Sequence, residues 1–218
     1  MLNLRNCHKP SNVSRQFKNP HLKRKFEILN ALPTYGEMYI SFPENGYKEF
    51  SEGLPVKFYK KDNTEWVGNF ETGNSNLKFV TELNNIESLL IISYGICYII
   101  NSENNKMINK FGYDYKLVFE YNKKFILIGE YSISIVNDFG KIKHFDNLCY
   151  DGISEAKLEN GKIIATLNDF NSSGNIDLKE FTLDLNNLEV TEKQINIKKK
   201  NNNIEKAKND SKKWWKIW

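Results

Sequence analysis

The most constraining feature of this chain is a run of short strand-like segments that recurs about every 37 residues. Phe125–Gly129 can be laid over Ser88–Ile92 at an offset of 37 residues, and Ile163–Leu167 over Phe125–Gly129 at an offset of 38. Each unit reads as four strands joined by turns, which is close to the period of a propeller blade. Three units stand out, at 78–111, 115–145 and 153–195, and a degenerate fourth is predicted at 38–70.

Turn-forming residues separate the predicted strands. Asn and Gly tolerate the positive φ of tight hairpins, so consecutive strands should pair antiparallel. The turns are predicted at Asp62-Asn63, Asn104-Asn105, Asn122-Lys123, Asp138–Gly140, Asn160-Gly161 and Asn186-Asn187. Between them lie predicted strands such as Ser88–Ser93, Ile96–Asn101, Leu117–Tyr121, Lys162–Leu167 and Glu180–Asp184.

We therefore expect an all-β fold, an antiparallel meander of repeated four-strand units. A closed propeller needs at least about four blades. The alternatives are a small or incomplete β-propeller-like fold and a curved meander sheet. Chance similarity between units also stays open, because strand-turn-strand sequences of any all-β fold look alike.

Composition divides the chain into three segments. Residues 1–33 form a basic N-terminal arm that allows a short helix, with Asn19 as its cap and Leu22, Phe26 and Leu29 on one face. Residues 34–195 form the all-β domain. Residues 196–218 form a Lys/Asn-rich linker and a Trp-rich C-terminal tail, and the linker is too polar to bury a core of its own. Both ends are expected to be flexible.

Charge follows the same division. Residues 1–25 hold seven Lys or Arg and no acid, residues 196–218 carry +6, and residues 26–195 carry −9. An acidic body favours recognition of a basic protein partner, because complementary fields speed association. Nucleic acid is a poor partner for the same body, which would repel a phosphate backbone.

The tail ends in a cluster of Lys and Trp. Exposing a cluster of apolar side chains to water costs free energy, so we expect the cluster to dock on another surface. The docking surface is an anionic membrane, a pocket on a partner protein, or the chain's own sheet. No apolar run approaches the ~18 residues of a membrane span, so no transmembrane segment is expected. The residues of the tail site are Lys212, Lys213, Trp214, Trp215, Lys216, Ile217 and Trp218.

A calcium-loop pattern spans Asp169–Glu180, with Gly174 at its sixth position. An EF-hand loop requires flanking helices, whereas the segments on both sides here read as hairpin strands. A loop joining two strands explains the same residues, so no metal and no cofactor is assigned, and calcium stays an alternative. Its candidate ligands are Asp169, Asn171, Ser173, Asp177 and Glu180.

No catalytic motif is readable, so the sequence predicts a non-enzymatic protein. Cys7, Cys97 and Cys149 form no CxxC pair, which fits a reducing cytosol, and the last two are expected in the core. His144 is expected at a strand end, where it could pair with Asp146, and no partner nucleophile is visible. Aromatic residues within the body are expected in the core or in cross-strand pairs.

Three stretches resemble a pattern in uncharacterised bacterial β-repeat proteins: Leu32–Gly36, Val56–Tyr59 with Asp62–Val67, and Gly95–Asn101. The richness in Lys, Asn and Ile is similar to that of proteins from AT-rich bacterial genomes. Small β proteins with an acidic body resemble immunity-type proteins of toxin systems, which block a toxin through a charged face. The resemblance implies a cytoplasmic binding protein with a basic protein partner, and it supplies no functional residue. The alternative is a peripheral membrane protein tethered by its tail.

Overall fold

The computed structural model describes residues 25–44, 52–84, 87–170 and 176–195. Every regular element in these ranges is a β-strand, and the strands form four sheets of four strands each. The predicted all-β architecture of repeated four-strand units is therefore confirmed.

Sheet 1 departs from a simple meander. Its strands are β1 (Phe26–Ile28), β2 (Ile40–Phe42), β3 (Leu54–Tyr59) and β4 (Glu65–Phe70), in the spatial order β1-β3-β4-β2. β3 pairs antiparallel with β1 and with β4, whereas β2 runs parallel to β4. The degenerate fourth unit predicted at 38–70 is thus a sheet, but it takes one strand from upstream of that range.

The N-terminal helix prediction is wrong over the part of it that the structure describes. Phe26 pairs with Phe58 and Ile28 with Val56 in the β1–β3 ladder. Side chains two residues apart lie on one face of a strand, and Phe26 and Ile28 both pack against the core. The residue that shares a face with Phe26 is therefore Ile28, and not Leu29 as the helix prediction had it. Residues 1–24 lie outside the described ranges.

The other three sheets follow the chain in order and are antiparallel throughout, which is the topology of a propeller blade. They confirm the three units predicted at 78–111, 115–145 and 153–195. Sheet 2 contains β5 (Lys78–Glu82), β6 (Ser88–Ser93), β7 (Ile96–Asn101) and β8 (Lys106–Phe111). Sheet 3 contains β9 (Leu117–Tyr121), β10 (Lys124–Ile128), β11 (Ile133–Val136) and β12 (Ile142–Phe145). Sheet 4 contains β13 (Ile153–Glu159), β14 (Lys162–Phe170), β15 (Ile176–Asp184) and β16 (Val190–Gln194).

The hairpin turns fall where the sequence predicted them. Asn63, Asn105, Asn122 and Asn160 all adopt positive φ, between 47° and 72°, in turns that join consecutive strands. Asn tolerates this left-handed region better than most residues, because its short side chain can hydrogen-bond locally. The turns therefore fix the register of the strands on either side.

The strands belong to two compact units. Unit 1 contains the described residues up to Asp114 together with Asp138–Gly140, and unit 2 contains Tyr115–Asn137 and the described residues from Lys141 onwards. Sheets 1 and 2 lie in unit 1, and sheets 3 and 4 lie in unit 2. Each unit has its own hydrophobic core.

Aromatic rings dominate the core of unit 1. Phe58 stacks on Trp66 with ring centroids 4.3 Å apart, and Phe42 stacks on Phe70 at 5.2 Å. The indole N–H of Trp66 donates to the carbonyl oxygen of Ser102 at 2.8 Å. This bond satisfies the one polar atom of a buried ring.

Aliphatic side chains form most of the core of unit 2. Ile126 and Ile135 of sheet 3 belong to the same buried cluster as Ile163 and Leu183 of sheet 4. The two sheets therefore bury their facing sides within this unit, and the connections between their strands are left at the surface.

Gly73, which precedes β5, tests the packing of unit 1. A Cβ at this position would lie 2.3 Å from the carbonyl oxygen of Tyr113 and 2.7 Å from that of Tyr94. Backbone oxygens cannot move aside as side chains do, so we expect Gly73→Ala to lower the free energy of unfolding by about 2 kcal/mol or more. Urea denaturation of the full chain measures the change.

Gly36→Ala is the matched comparison, because its new methyl group would meet nothing within 4 Å. Its φ of +107° makes alanine unfavourable there, at a cost of about 1 kcal/mol. An equal or larger loss for Gly36→Ala would contradict the crowding described at Gly73.

Candidate functional site

Three large aromatic side chains of unit 2 are exposed at the end of a strand or in the segments between strands. Tyr131 follows β10 and is 46% exposed, Tyr150 lies between β12 and β13 and is 87% exposed, and Phe170 ends β14 and is 59% exposed. Exposed apolar groups that lie together on a soluble protein commonly mark an interaction surface. We call these three residues the aromatic surface.

Backbone hydrogen bonds bring the three segments together. The amide of Leu148 donates to the carbonyl oxygen of Tyr131 at 3.0 Å, and the amide of Ile153 donates to that of Glu130 at 2.7 Å. The amide of Asp151 donates to the carbonyl oxygen of Asn168 at 3.0 Å. The segment between β12 and β13 is therefore tied to the end of β10 on one side and to the end of β14 on the other.

Two aspartates hold the backbone beneath the exposed rings. The amide of Tyr150 donates to Oδ1 of Asp169, and the amide of Phe170 donates to Oδ2 of Asp151, both at 2.7 Å. Each carboxylate thus accepts from the residue next to the other carboxylate. Hydrogen bonds to a charged acceptor are shorter and stronger than neutral ones. This reciprocal pair, which we call the aspartate clamp, orders two aromatic residues without using their side chains.

Gly152 allows the chain to turn beneath the clamp. Its φ is +104°, and a Cβ there would lie 2.3 Å from Oε1 of Glu130. The side-chain amide of Asn168 donates to the Gly152 carbonyl oxygen at 2.6 Å and to Oγ of Ser154 at 3.0 Å. A side chain at Gly152 would therefore both strain the backbone and displace Glu130.

The surroundings of the aromatic surface carry several charges. Asp151, Asp169 and Glu130 are the acidic groups, and two lysines lie beside them. Lys116 Nζ is 2.7 Å from Glu130 Oε2, and Lys179 Nζ is 3.7 Å from Asp169 Oδ2. Such half-exposed ion pairs contribute at most about 1 kcal/mol each. Asp151 Oδ1 accepts no hydrogen bond from any described residue, so it can accept one from a partner.

The cysteines of the described chain are buried, as the sequence predicted. Cys97 lies in β7, and Cys149 precedes Tyr150 in the segment between β12 and β13. Burial raises the pKa of the Cys149 thiol and raises that of Cys97 well above its ordinary value. Both side chains are therefore held as thiols, which are poor nucleophiles.

A serine–histidine pair that sequence reasoning missed lies in sheet 3. Ser134 and His144 face each other across the β11–β12 ladder, and Ser134 Oγ is 2.7 Å from His144 Nδ1. The Tyr115 hydroxyl hydrogen-bonds the same Oγ. Ser134 is completely buried, so its hydroxyl cannot meet a substrate. The arrangement satisfies buried polar groups, and the cross-strand register is the signal that could have revealed it.

The calcium candidates lie along a hairpin. Asp169 of β14 pairs with Asp177 of β15, and Glu180 lies three positions beyond Asp177 on the same strand. An odd separation places Asp177 and Glu180 on opposite faces of β15. Asn171 and Ser173 lie outside the described residues. Within the described ranges, no group of three or more His, Cys, Asp or Glu side chains is arranged to hold a metal ion.

The tail site at 212–218 lies outside the described residues, so its role stays a prediction. In the part of the chain that is described, no helix is long and apolar enough to cross a bilayer.

Burial divides the body aromatics. Tyr98 and Tyr115 are buried, as predicted, whereas Tyr113 is exposed. Tyr131 and Tyr150 were not singled out, although both stand outside the predicted strands next to turn-forming residues, and that placement is the signal that could have identified them.

Similarity to known proteins is confined to solved structures and covers only part of the chain. No protein-family model and no curated protein matches the chain. Among solved structures, the chain is similar to the Pan2 WD40 domain of Neurospora crassa, with 16% sequence identity and a TM-score of 0.34. The similarity covers 57% of this chain and 38% of that one.

The aspartate clamp can be tested by hydrogen exchange. Asp169→Ala removes the acceptor of the Tyr150 amide, and Asp151→Ala removes that of the Phe170 amide. We expect each variant to speed exchange at its own amide by about tenfold, corresponding to the roughly 1.5 kcal/mol of a charge-assisted hydrogen bond. NMR-detected exchange resolves the two amides.

Asp146→Ala is the control, because Asp146 is an exposed carboxylate of the same segment that accepts no hydrogen bond from a described residue. Unchanged exchange at Tyr150 and Phe170 in the two clamp variants would show that the carboxylates do not hold these amides.

Proposed function

We propose that this chain is a non-enzymatic binding protein whose aromatic surface contacts a protein partner. The observation that carries the proposal is the aspartate clamp, which fixes the backbone at Tyr150 and Phe170 while their rings remain exposed. Ordering a surface in advance lowers the entropy lost on binding. Tyr and other large aromatics are common binding hot spots, each worth about 2 kcal/mol or more at the centre of an interface.

The charge of the body favours a basic partner. Residues 26–195 carry −9. Asp151 and Asp169 contact the backbone of the aromatic surface, Glu130 precedes Tyr131, and Asp169 and Glu130 are paired with Lys179 and Lys116. A partner with Arg or Lys beside an apolar patch would offer apolar contact to the rings and opposite charge to the carboxylates. Rings also attract cations directly through their faces. This arrangement supports an acidic face that binds a basic protein.

An immunity-type role in a bacterial toxin system is the specific form of this proposal. It draws on the sequence resemblance described above and on the acidic body. In that role the chain would cover a basic, functional surface of a toxin in the cytoplasm. The natural candidate partner is the protein encoded beside this chain, because immunity proteins and their toxins are encoded together.

Membrane tethering through the tail is the second candidate, favoured by Lys212, Lys213 and the three Trp residues that follow. Trp and Lys prefer the interface of anionic bilayers. Flotation with vesicles of phosphatidylglycerol and phosphatidylcholine, with and without residues 196–218, tests it. Binding that persists without the tail would contradict this candidate.

Replacing the exposed rings tests the proposed interface. We expect Tyr150→Ala and Phe170→Ala each to weaken binding of the adjacently encoded protein by about tenfold or more, because each removes an exposed anchor without touching the core. Isothermal titration calorimetry measures the affinity. Raising the salt concentration should weaken binding further, since exposed charges are screened.

Tyr35→Ala is the matched control, because Tyr35 lies in unit 1 between β1 and β2 and is 93% exposed. It removes a similarly exposed ring from the other unit, and the affinity of this variant should equal that of the unmodified chain. Salt-insensitive binding, an acidic partner, or equal losses from Tyr35→Ala and Tyr150→Ala would each overturn the proposal.

A further inference from the structure

Unit 2 carries a second candidate surface, and its charge is opposite to that of the aromatic surface. A cavity of about 180 Å³ lies where sheet 3 meets the turn between β15 and β16. Lys124, Lys141 and Lys143 line it, together with Asn137. We call it the lysine cavity.

Strand register explains why three lysines meet there. Ile126 pairs with Ile135 and Ile135 with Lys143, so these side chains lie on one face of sheet 3. Lys124 and Lys141 are each two residues from a member of this row and so lie on the same face. Ile126 and Ile135 belong to the core of unit 2. The lysines therefore continue the row of core residues at the place where the core ends.

The rest of the cavity wall is apolar. Ile135 and Leu188 contribute to it, and Leu188 also packs against the core of unit 2. The cavity therefore offers positive charge beside an apolar floor.

The three lysines form no ion pair with any described carboxylate. Lys124 Nζ donates to the carbonyl oxygen of Leu185 at 3.0 Å, which holds it in place. Lys143 Nζ lies 5.2 Å from the centre of the Phe145 ring. Positive charges gathered around a small cavity repel one another, and an anion between them would relieve that repulsion.

We propose that the lysine cavity binds an acidic side chain of a protein segment, with a neighbouring apolar side chain of that segment on Leu188. At roughly 30 Å³ for each water, the cavity has room for about six waters, comparable to one or two side chains. A bare inorganic anion would leave the apolar wall in contact with water. A carboxylate next to an apolar side chain satisfies both parts of the lining. This inference goes beyond the proposed function, because it assigns a different surface and a partner segment of opposite charge.

Two matched peptides test the proposal against the full chain. The first probe is the acetylated and amidated peptide Gly-Ser-Glu-Leu-Glu-Ser, and the second replaces both glutamates by glutamine. In ¹⁵N–¹H correlation spectra, we expect the glutamate peptide to shift the amides of 141–143 and Leu188 saturably. The glutamine peptide should bind about tenfold more weakly or not at all.

Charge-removing variants locate the binding. The double variant Lys141→Gln and Lys143→Gln should weaken binding of the glutamate peptide by about tenfold. Lys123→Gln is the matched control, because Lys123 is exposed beside Lys124 and does not line the cavity. It should bind the peptide as the unmodified chain does. Tyr150→Ala should also bind it unchanged, which separates this inference from the proposed function.

Four outcomes would overturn the inference. Inorganic phosphate producing the same saturable shifts and displacing the peptide would make this a small-anion site. Equal binding of both peptides would show that the glutamate carboxylates do not contribute to binding. An equal loss in Lys123→Gln would show non-specific attraction. Absence of saturable shifts at 141–143 would show that the cavity is not a binding site.

Discussion

Burial on both faces of inner strands is the constraint on which sheets 2 and 3 of this fold depend. All six residues of β6 are buried, and so are all four residues of β11. Strands covered on both sides must be apolar along their length and must satisfy every backbone group in the ladder. Continuous runs such as Leu89–Ile92 meet this demand. The outer strands β8 and β16 need not meet it, and they are largely exposed.

Because the inner strands are buried and the outer strands are exposed, the residues proposed to contact a partner lie in the connections and at strand ends. With the inner strands committed to the core, functional side chains are available at strand ends and in loops. In unit 2, the aromatic surface occupies three such connections, and the lysine cavity lies at a turn. The lysine cavity uses side chains that stand just beyond a buried row of strand residues, whereas the aspartate clamp holds the backbone at Tyr150 and Phe170.

Local signals explain which parts could be predicted from the sequence. The strands Ser88–Ser93, Ile96–Asn101 and Leu117–Tyr121 were predicted with the observed bounds, because an apolar run that ends in a tight turn leaves little freedom of register. β1 and β2 were missed, since three-residue strands carry almost no periodicity and depend on distant partners. The aspartate clamp was missed for a related reason. Asp151 and Asp169 meet only because β13 and β14 pair, and an aspartate that accepts from a distant amide looks like any loop aspartate.

The clamp also bears on how fast a partner could dock. Loops that must rearrange before contact slow association below the rate of collision, whereas surfaces already in place associate at rates set by diffusion and by long-range charge. Tyr150 and Phe170 are held by Asp169 and Asp151 in the free chain. Association through the aromatic surface should therefore proceed in a single kinetic step, and differences in affinity among variants should arise from their dissociation rates.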